Sequence, residues 1–208
     1  MAAMDVIHGG AGNDEMAGGA GDDIIYGNFG DDMICGNEGD DFIFGAIGDD
    51  VIAGAGGDDE LLGGNGRDTL YGNEGNDRIN GGKGNDLITG DSGLDRLIGS
   101  GGDDVIHGGG DRDILNGAAG SDSLTGGSGR DVFLFNIGVS DADRVEDFDP
   151  TQDFVRFVND GPADFAALVP LLQQVGFDTV IDFGGGTELT LAFTDASSLN
   201  ATDFHFFS

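Results

Sequence analysis

The chain of 208 residues has one cysteine, three prolines, no tryptophan and only eight Lys and Arg against forty Asp and Glu. A lone Cys35 excludes an intramolecular disulfide, so stability in an oxidising compartment must come from another source. The formal net charge of −32 excludes charge-driven binding to nucleic acid or anionic lipid and makes cations the natural partners. No apolar run is long enough to span a membrane. Met1 to His8 lacks a basic stretch followed by an apolar core, so no cleavable signal peptide is expected there. There is no G-x-S-x-G elbow, no phosphate-binding G-x-x-x-x-G-K-[ST] loop and no EF-hand loop. His8, His107 and His205 lie far apart, two of them at outward positions, which fits surface placement better than zinc ligation. No enzymatic activity is expected of such a chain.

What is present is glycine and aspartate in register. From Gly9 to residue 134 a nine-residue unit, G-[G/N/A]-x-G-x-D-x-U-x with U large and apolar, runs fourteen times without slipping. The sixth position is always Asp: Asp14, Asp23, Asp32, Asp41, Asp50, Asp59, Asp68, Asp77, Asp86, Asp95, Asp104, Asp113, Asp122 and Asp131. The first is always Gly: Gly9, Gly18, Gly27, Gly36, Gly45, Gly54, Gly63, Gly72, Gly81, Gly90, Gly99, Gly108, Gly117 and Gly126. The eighth runs from Met16 through Ile and Leu to Phe133, and the fourth is Gly in all units but one, where Asp111 stands. Asp5 to His8 match the end of a truncated preceding unit. Composition divides the chain: 36 of the 42 glycines precede Phe135, and 11 of the 15 phenylalanines lie from Phe135 onward. The expected organisation is a repeat array at 1–134 and a capping region at 135–208.

Within a unit the six Gly- and Asx-rich residues suit a turn, and positions seven to nine predict a very short strand. Alternation then points position eight to one side and positions seven and nine to the other. One large side chain in nine buries too little to offset the ordering of the other eight. Aspartates stacked at the strand spacing of about 4.8 Å repel by about 1 kcal/mol per pair even in water, and by more when desolvated. Stacked in that way, such units are expected not to fold without divalent ions. Calcium suits the donors, because it takes about six to eight oxygens, carboxylate and main-chain carbonyl alike, in a flexible geometry.

The array, about 60% of the chain, resembles the repeats-in-toxin or haemolysin-type calcium-binding family, whose nonapeptide forms a parallel β-roll. The resemblance implies an all-β, right-handed parallel β-roll with two units per coil and a small β-rich C-terminal cap. It implies that Ca2+ ions lie between the turns of units two apart, bound by the sixth-position aspartates and the first-position glycine carbonyls, with each Asp bridging two ions. Fourteen units leave twelve such gaps, and twelve dications would nearly balance the array's −21. Odd units would stack Met16, Ile34 and their successors on one sheet, and even units Ile7, Ile25 and theirs on the other. The departures at Asp91, Leu94 and Asp111 place the weakest sites at Asp95 and Asp113, and edge sites using Asp5 or Asp131 would be incomplete.

Outward-facing Ile24, Tyr26, Phe42, Phe44 and Leu62 would form an apolar patch on one sheet, a candidate face for a docking domain or self-association; Phe29 and Ile47 would be neighbours on a turn edge. Past Phe135 the pattern predicts a strand at Arg144–Phe148, a turn at Asp149–Asp153 and a returning strand at Phe154–Val158. A helix broken at Pro170 follows, its face carrying Phe165, Leu168, Val169, Leu172 and Val175, then a hairpin around Gly184–Gly186 and a terminal strand at Phe204–Phe207. Asp143–Phe148, Asp178–Gly186 and Asp203–Phe207 resemble the C-terminal region of serralysin-type metalloproteases and other type I secretion substrates, although H-E-x-x-H is absent. That likeness implies an uncleaved C-terminal signal, export by the type I secretion machinery and an extracellular location. Two other readings stand beside a secreted calcium-binding protein: the C-terminal module of a larger secreted metalloprotease, lipase or polysaccharide-modifying enzyme, and an adhesin-type extension. The irregular third positions, Ala11, Ala20, Phe29, Glu38 and Ile47 among them, disfavour the last.

Overall fold

In the computed structural model, which describes residues 3–138, 141–158 and 161–206, the array is a parallel β-solenoid of about eight turns. Each unit contributes one strand of six residues, longer than the three expected. The strands run from β1 (Val6–Ala11) and β2 (Glu15–Ala20) at nine-residue steps to β14 (Ser123–Ser128). The extra residues are positions one to three of the next unit, of which the second and third pair with the strand two units away, as Asn28↔Ala46 and Phe29↔Ile47 do. Ala46 at the second position has φ of 88° and Asn73 has 77°, a left-handed kink, yet both stay paired, with Gly64 and Asp91, and it is the first-position glycine that the pairing skips. The turn itself centres on position four, where Asp111 replaces glycine at φ 72°. Asp is one of the few side chains that tolerate this conformation, so the array passes through this unit without a break.

Odd and even strands form separate sheets. In one, Ile7↔Ile25 and Ile25↔Ile43 set the register. In the other, Met16↔Ile34 and Ile34↔Ile52 do so. Both stacks are as the alternation of units required. Every eighth-position residue from Ile25 to Leu124 is at most 2% exposed, so the core is a single file of Ile and Leu from each side. On the outer face Ile24, Tyr26, Phe42, Phe44 and Leu62 are half-buried, with the His8 and Tyr26 rings stacked at 4.9 Å. Phe29 and Ile47 pair in register and are exposed.

Past the array both sheets continue. Strands β15 (Val132–Asn136), β17 (Phe154–Val158) and β21 (Phe204–His205) extend the first sheet to ten parallel strands. Strands β16 (Ala142–Val145), β20 (Thr187–Leu191), β19 (Asp178–Gly184) and β18 (Leu172–Val175) extend the second to eleven, the last two pairings antiparallel. Phe133, Phe135, Phe157 and Phe204 join the core past the array, with Phe157 and Phe204 stacked at 5.9 Å, and fill the C-terminal end of the roll.

Several expectations are corrected here. Phe154–Val158 does not return along the preceding strand: it pairs in parallel with β15 on the opposite sheet, completing another coil. The strand expected at Arg144–Phe148 ends at Val145. The helix is one turn, α1 (Phe165–Leu168), capped by the Asp164 carboxylate, which accepts from Ala167 N at 2.9 Å, and then a 3-10 turn at Val169–Leu171. Leu172–Val175, read as helix from its apolar spacing, is the edge strand β18, because its backbone finds partners on β19. Of the supposed helical face Leu168 is buried while Val169 and Val175 are exposed. The hairpin around Gly184–Gly186 forms as expected, with Ile181 opposite Leu189. The terminal strand covers Phe204–His205, and Phe207 lies outside the described residues.

A single-file core predicts strong local dependence on each rung. Ile52→Ala, at a position with no exposure, is expected to cost about 2–5 kcal/mol. Phe44→Ala on the outer face should cost less, with both read from thermal unfolding in saturating calcium.

Candidate metal centre

The sixth-position aspartate immediately precedes each strand, so strand pairing stacks these residues at every coil along both turn edges. Each one donates its backbone N–H to Oδ1 of the aspartate one coil further on. Asp23 N to Asp41 Oδ1 is 2.7 Å, Asp50 N to Asp68 Oδ1 is 2.8 Å and Asp104 N to Asp122 Oδ1 is 2.8 Å. Aspartates from Asp23 to Asp131 are at most 2% exposed, and Asp14, near the open end, is half-buried. The second oxygen, Oδ2, is buried without any hydrogen-bond partner in all fourteen repeats.

The orphaned Oδ2 faces the first-position glycine of its own unit. A Cβ placed on Gly9 would stand 2.8 Å from Asp14 Oδ2 and 2.9 Å from the carbonyl oxygen of Gly27. On Gly108 it would stand 2.5 Å from Asp113 Oδ2 and 2.6 Å from Gly126 O. Only glycine leaves this space open, and carboxylate and carbonyl oxygens border it together. Such a donor set fits a hard cation. Among the described residues no three His, Cys, Asp or Glu side chains converge as a closed side-chain site, so main-chain carbonyls are needed to complete any coordination shell. The geometry engages Oδ1 with a backbone N–H, which differs from the expectation that both oxygens bridge ions and leaves Oδ2 as the free donor.

The electrostatics follow from burial. Without a cation between the rungs, desolvation pushes the Asp59, Asp68, Asp104 and Asp113 carboxyls up to about 7 and those of Asp77 and Asp95 up to about 6. The N–H of the preceding rung opposes this rise, and neighbouring carboxylates add to it for Asp59, Asp68, Asp104 and Asp113.

The sites expected to be weakest keep the common geometry. Asp77 N to Asp95 Oδ1 is 2.8 Å and Asp95 N to Asp113 Oδ1 is 2.9 Å. At the first rung the exposed Asp5 contributes its N–H to Asp23 at 2.7 Å. At the other end the ladder runs past Asp131. Asp122 N donates to Asp143 Oδ1 at 3.1 Å and Asp131 N to Asp153 Oδ1 at 3.0 Å. Asp143 and Asp153 were missed because they fall outside the nonapeptide spacing; Asp143 lies within β16 and Asp153 immediately precedes the apolar strand β17, which was the available signal. A second, exposed ladder at position five was also missed. There Asp49 N donates to Asp31 Oδ1 at 2.9 Å and Asp58 N to Asp40 Oδ1 at 2.9 Å, in the opposite sense to the inner ladder. Frequent Asp and Asn at position five, as at Asn13, Asp22, Asp31 and Asp40, carried that signal.

The model of the RTX calcium-binding nonapeptide repeat matches residues 2–34 and, in overlapping copies, 36–133. The chain belongs to this family. Its RTX repeats bind Ca2+ and form the parallel roll described above. A comparison with curated protein sequences finds no match. Among solved structures, the RTX chain is similar to that of the extracellular lipase LipA from Serratia marcescens, with a TM-score of 0.52 and 18% identity over 89% of this chain. At that identity the likeness is one of fold, and the RTX chain spans 40% of the lipase's length.

The raised carboxyls fix the sign of the pH response. Their folded pKa of about 6–7 exceeds the unfolded value of about 3.9, so they favour the roll fully below pH about 4 and lose this contribution as pH rises through 6–7. In chelator, acidification from about pH 8 to about pH 5 is expected to increase strand content by circular dichroism, while in calcium the same change raises the ion concentration needed for folding. A pH-independent calcium midpoint would contradict this.

Proposed function

We propose that this chain is a secreted, non-enzymatic calcium-binding module in which folding and ion uptake are one event. The observation that carries this reading is the two columns, one on each turn edge, that together hold fourteen buried Oδ2 atoms without a donor. A buried carboxylate with one oxygen left bare is costly while it stays charged, and the dications that RTX repeats bind supply the missing charge. Asp14 to Asp131 at the sixth position would hold these ions with the first-position glycine carbonyls, up to about twelve in the array, one for each gap between units two apart. In a calcium-poor cytosol the chain stays unfolded; outside the cell, where calcium is abundant, it coils. The C-terminal region, with its Asp143–Phe148 and Asp203–Phe207 motifs, would carry the uncleaved signal for the type I machinery, giving an extracellular location.

A second reading, the calcium-binding module of a larger secreted enzyme, is favoured by the fold likeness to an extracellular lipase of which this chain spans 40%. The aromatic patch of Tyr26, Phe42 and Phe44 is then the face that meets the enzyme's other domain.

Circular dichroism of the chain in chelator at neutral pH should show a disordered spectrum, converting to β-structure on addition of millimolar calcium and not of potassium. A roll fully formed in chelator would refute the proposal.

A further inference from the structure

The two inner ladders end differently. On the ten-stranded sheet the last acid reached by the N–H ladder, Asp153, is satisfied by protein: Oδ1 accepts from Asp131 N at 3.0 Å and Oδ2 from Asp149 N at 2.9 Å. Asp147 nearby likewise takes the N–H groups of Gly126 and Gly127, at 2.9 and 2.8 Å. No cation is needed at either group.

On the eleven-stranded sheet the last rung is Asp143. Its Oδ1 accepts from Asp122 N, and the next residue in register is Leu189, so the ladder has no further acid. Against this rung lies Asp141, which is 4% exposed, with neither carboxylate oxygen partnered. Its position is fixed by its main-chain carbonyl, which accepts from Glu188 N at 2.9 Å. Asp122 Oδ2 is orphaned beside it, and the Asp122 charge is felt by both Asp141 and Asp143. The adjacent cation, Arg144, is committed elsewhere, to Glu146 at 3.0 Å and Asp178 at 3.0 Å. Asp141 therefore has no protein donor and lies within the field of two more buried acids that do not close round it as a side-chain site, and a buried group left so is costly.

We propose that Asp141 binds a divalent cation of the calcium type at the C-terminal end of the roll, its charge shared by the Asp122 and Asp143 carboxylates. The site lies outside the nonapeptide array and rests on the calcium-binding reading of the ladder. Oxygen donors without His or Cys select a hard cation over a transition metal, with main-chain carbonyls and water completing the shell. Because β16 pairs with β14 on one side and β20 on the other, an ion here ties the C-terminal hairpin to the array.

The test is a count of bound Ca2+ per full-length chain by elemental analysis after equilibrium dialysis. Asp141→Asn is expected to hold one ion fewer than wild type, with an unchanged far-ultraviolet dichroism spectrum in saturating calcium. The Arg144 and Glu188 amides, which bond to Asp122 O and Asp141 O, should lose their calcium-dependent protection from hydrogen exchange. An unchanged ion count would overturn the proposal and leave the array's sites standing. A wild-type chain that takes up no calcium would instead overturn the reading on which the proposal rests. Asp141→Ser, which removes the buried carboxylate altogether, is measured alongside. Failure of both variants to fold in saturating calcium also counts against the site, since the array is expected to coil without it.

Discussion

A file of carboxylates buried one coil apart, each with one oxygen hydrogen-bonded and one bare, is the constraint on which the rest of the roll depends. The core cannot carry the fold alone, because each coil encloses only one large side chain from each sheet. The hydrogen bonds cannot either, because the N–H that one Asp donates satisfies only Oδ1 of the next. What remains is a series of equally spaced negative charges in a desolvated groove. Every feature of the unit serves that groove: the glycine without a Cβ beside each Oδ2, the left-handed turn at position four, and the strand that holds one rung above the next.

The ladder also has a direction. Inner aspartates accept from the coil before them, while the outer Asx residues at position five accept from the coil after, as Asp31 does from Asp49 N. Each turn is thus held to its neighbours by bonds of both senses, and a substitution at one position leaves the other set in place. Leu94 shows how the outer set can lapse: its N–H still reaches Asn76 Oδ1 at 3.0 Å, but it offers no acceptor onward. The inner set does not lapse anywhere between Asp14 and Asp131, and it runs on to Asp143 and Asp153.

Most of the array was legible in the sequence because period, ligand and core residue coincide in one short unit. The separation of Met16, Ile34 and Ile52 from Ile7, Ile25 and Ile43 follows once two units make a coil. The division of labour within each carboxylate was not legible, since it depends on where the N–H of the previous rung points. Strand length was underestimated because glycine-rich positions one to three read as turn, yet positions two and three pair with parallel neighbours and prolong the strand. In the C-terminal region, Leu172–Val175 has apolar spacing that suits a helix, but a free sheet edge decided its conformation. Asp143 and Asp153 escaped notice because insertions of different length precede them, which shifts them out of phase while leaving them in spatial register.

The most direct test of the account is a crystal structure of the chain grown in calcium, with anomalous scattering used to place every ion. The account predicts ions at about 2.3–2.6 Å from Oδ2 of the interior aspartates, ordered along both turn edges. A folded roll whose Oδ2 atoms face only water or protein donors, with no ion between successive rungs, would contradict it.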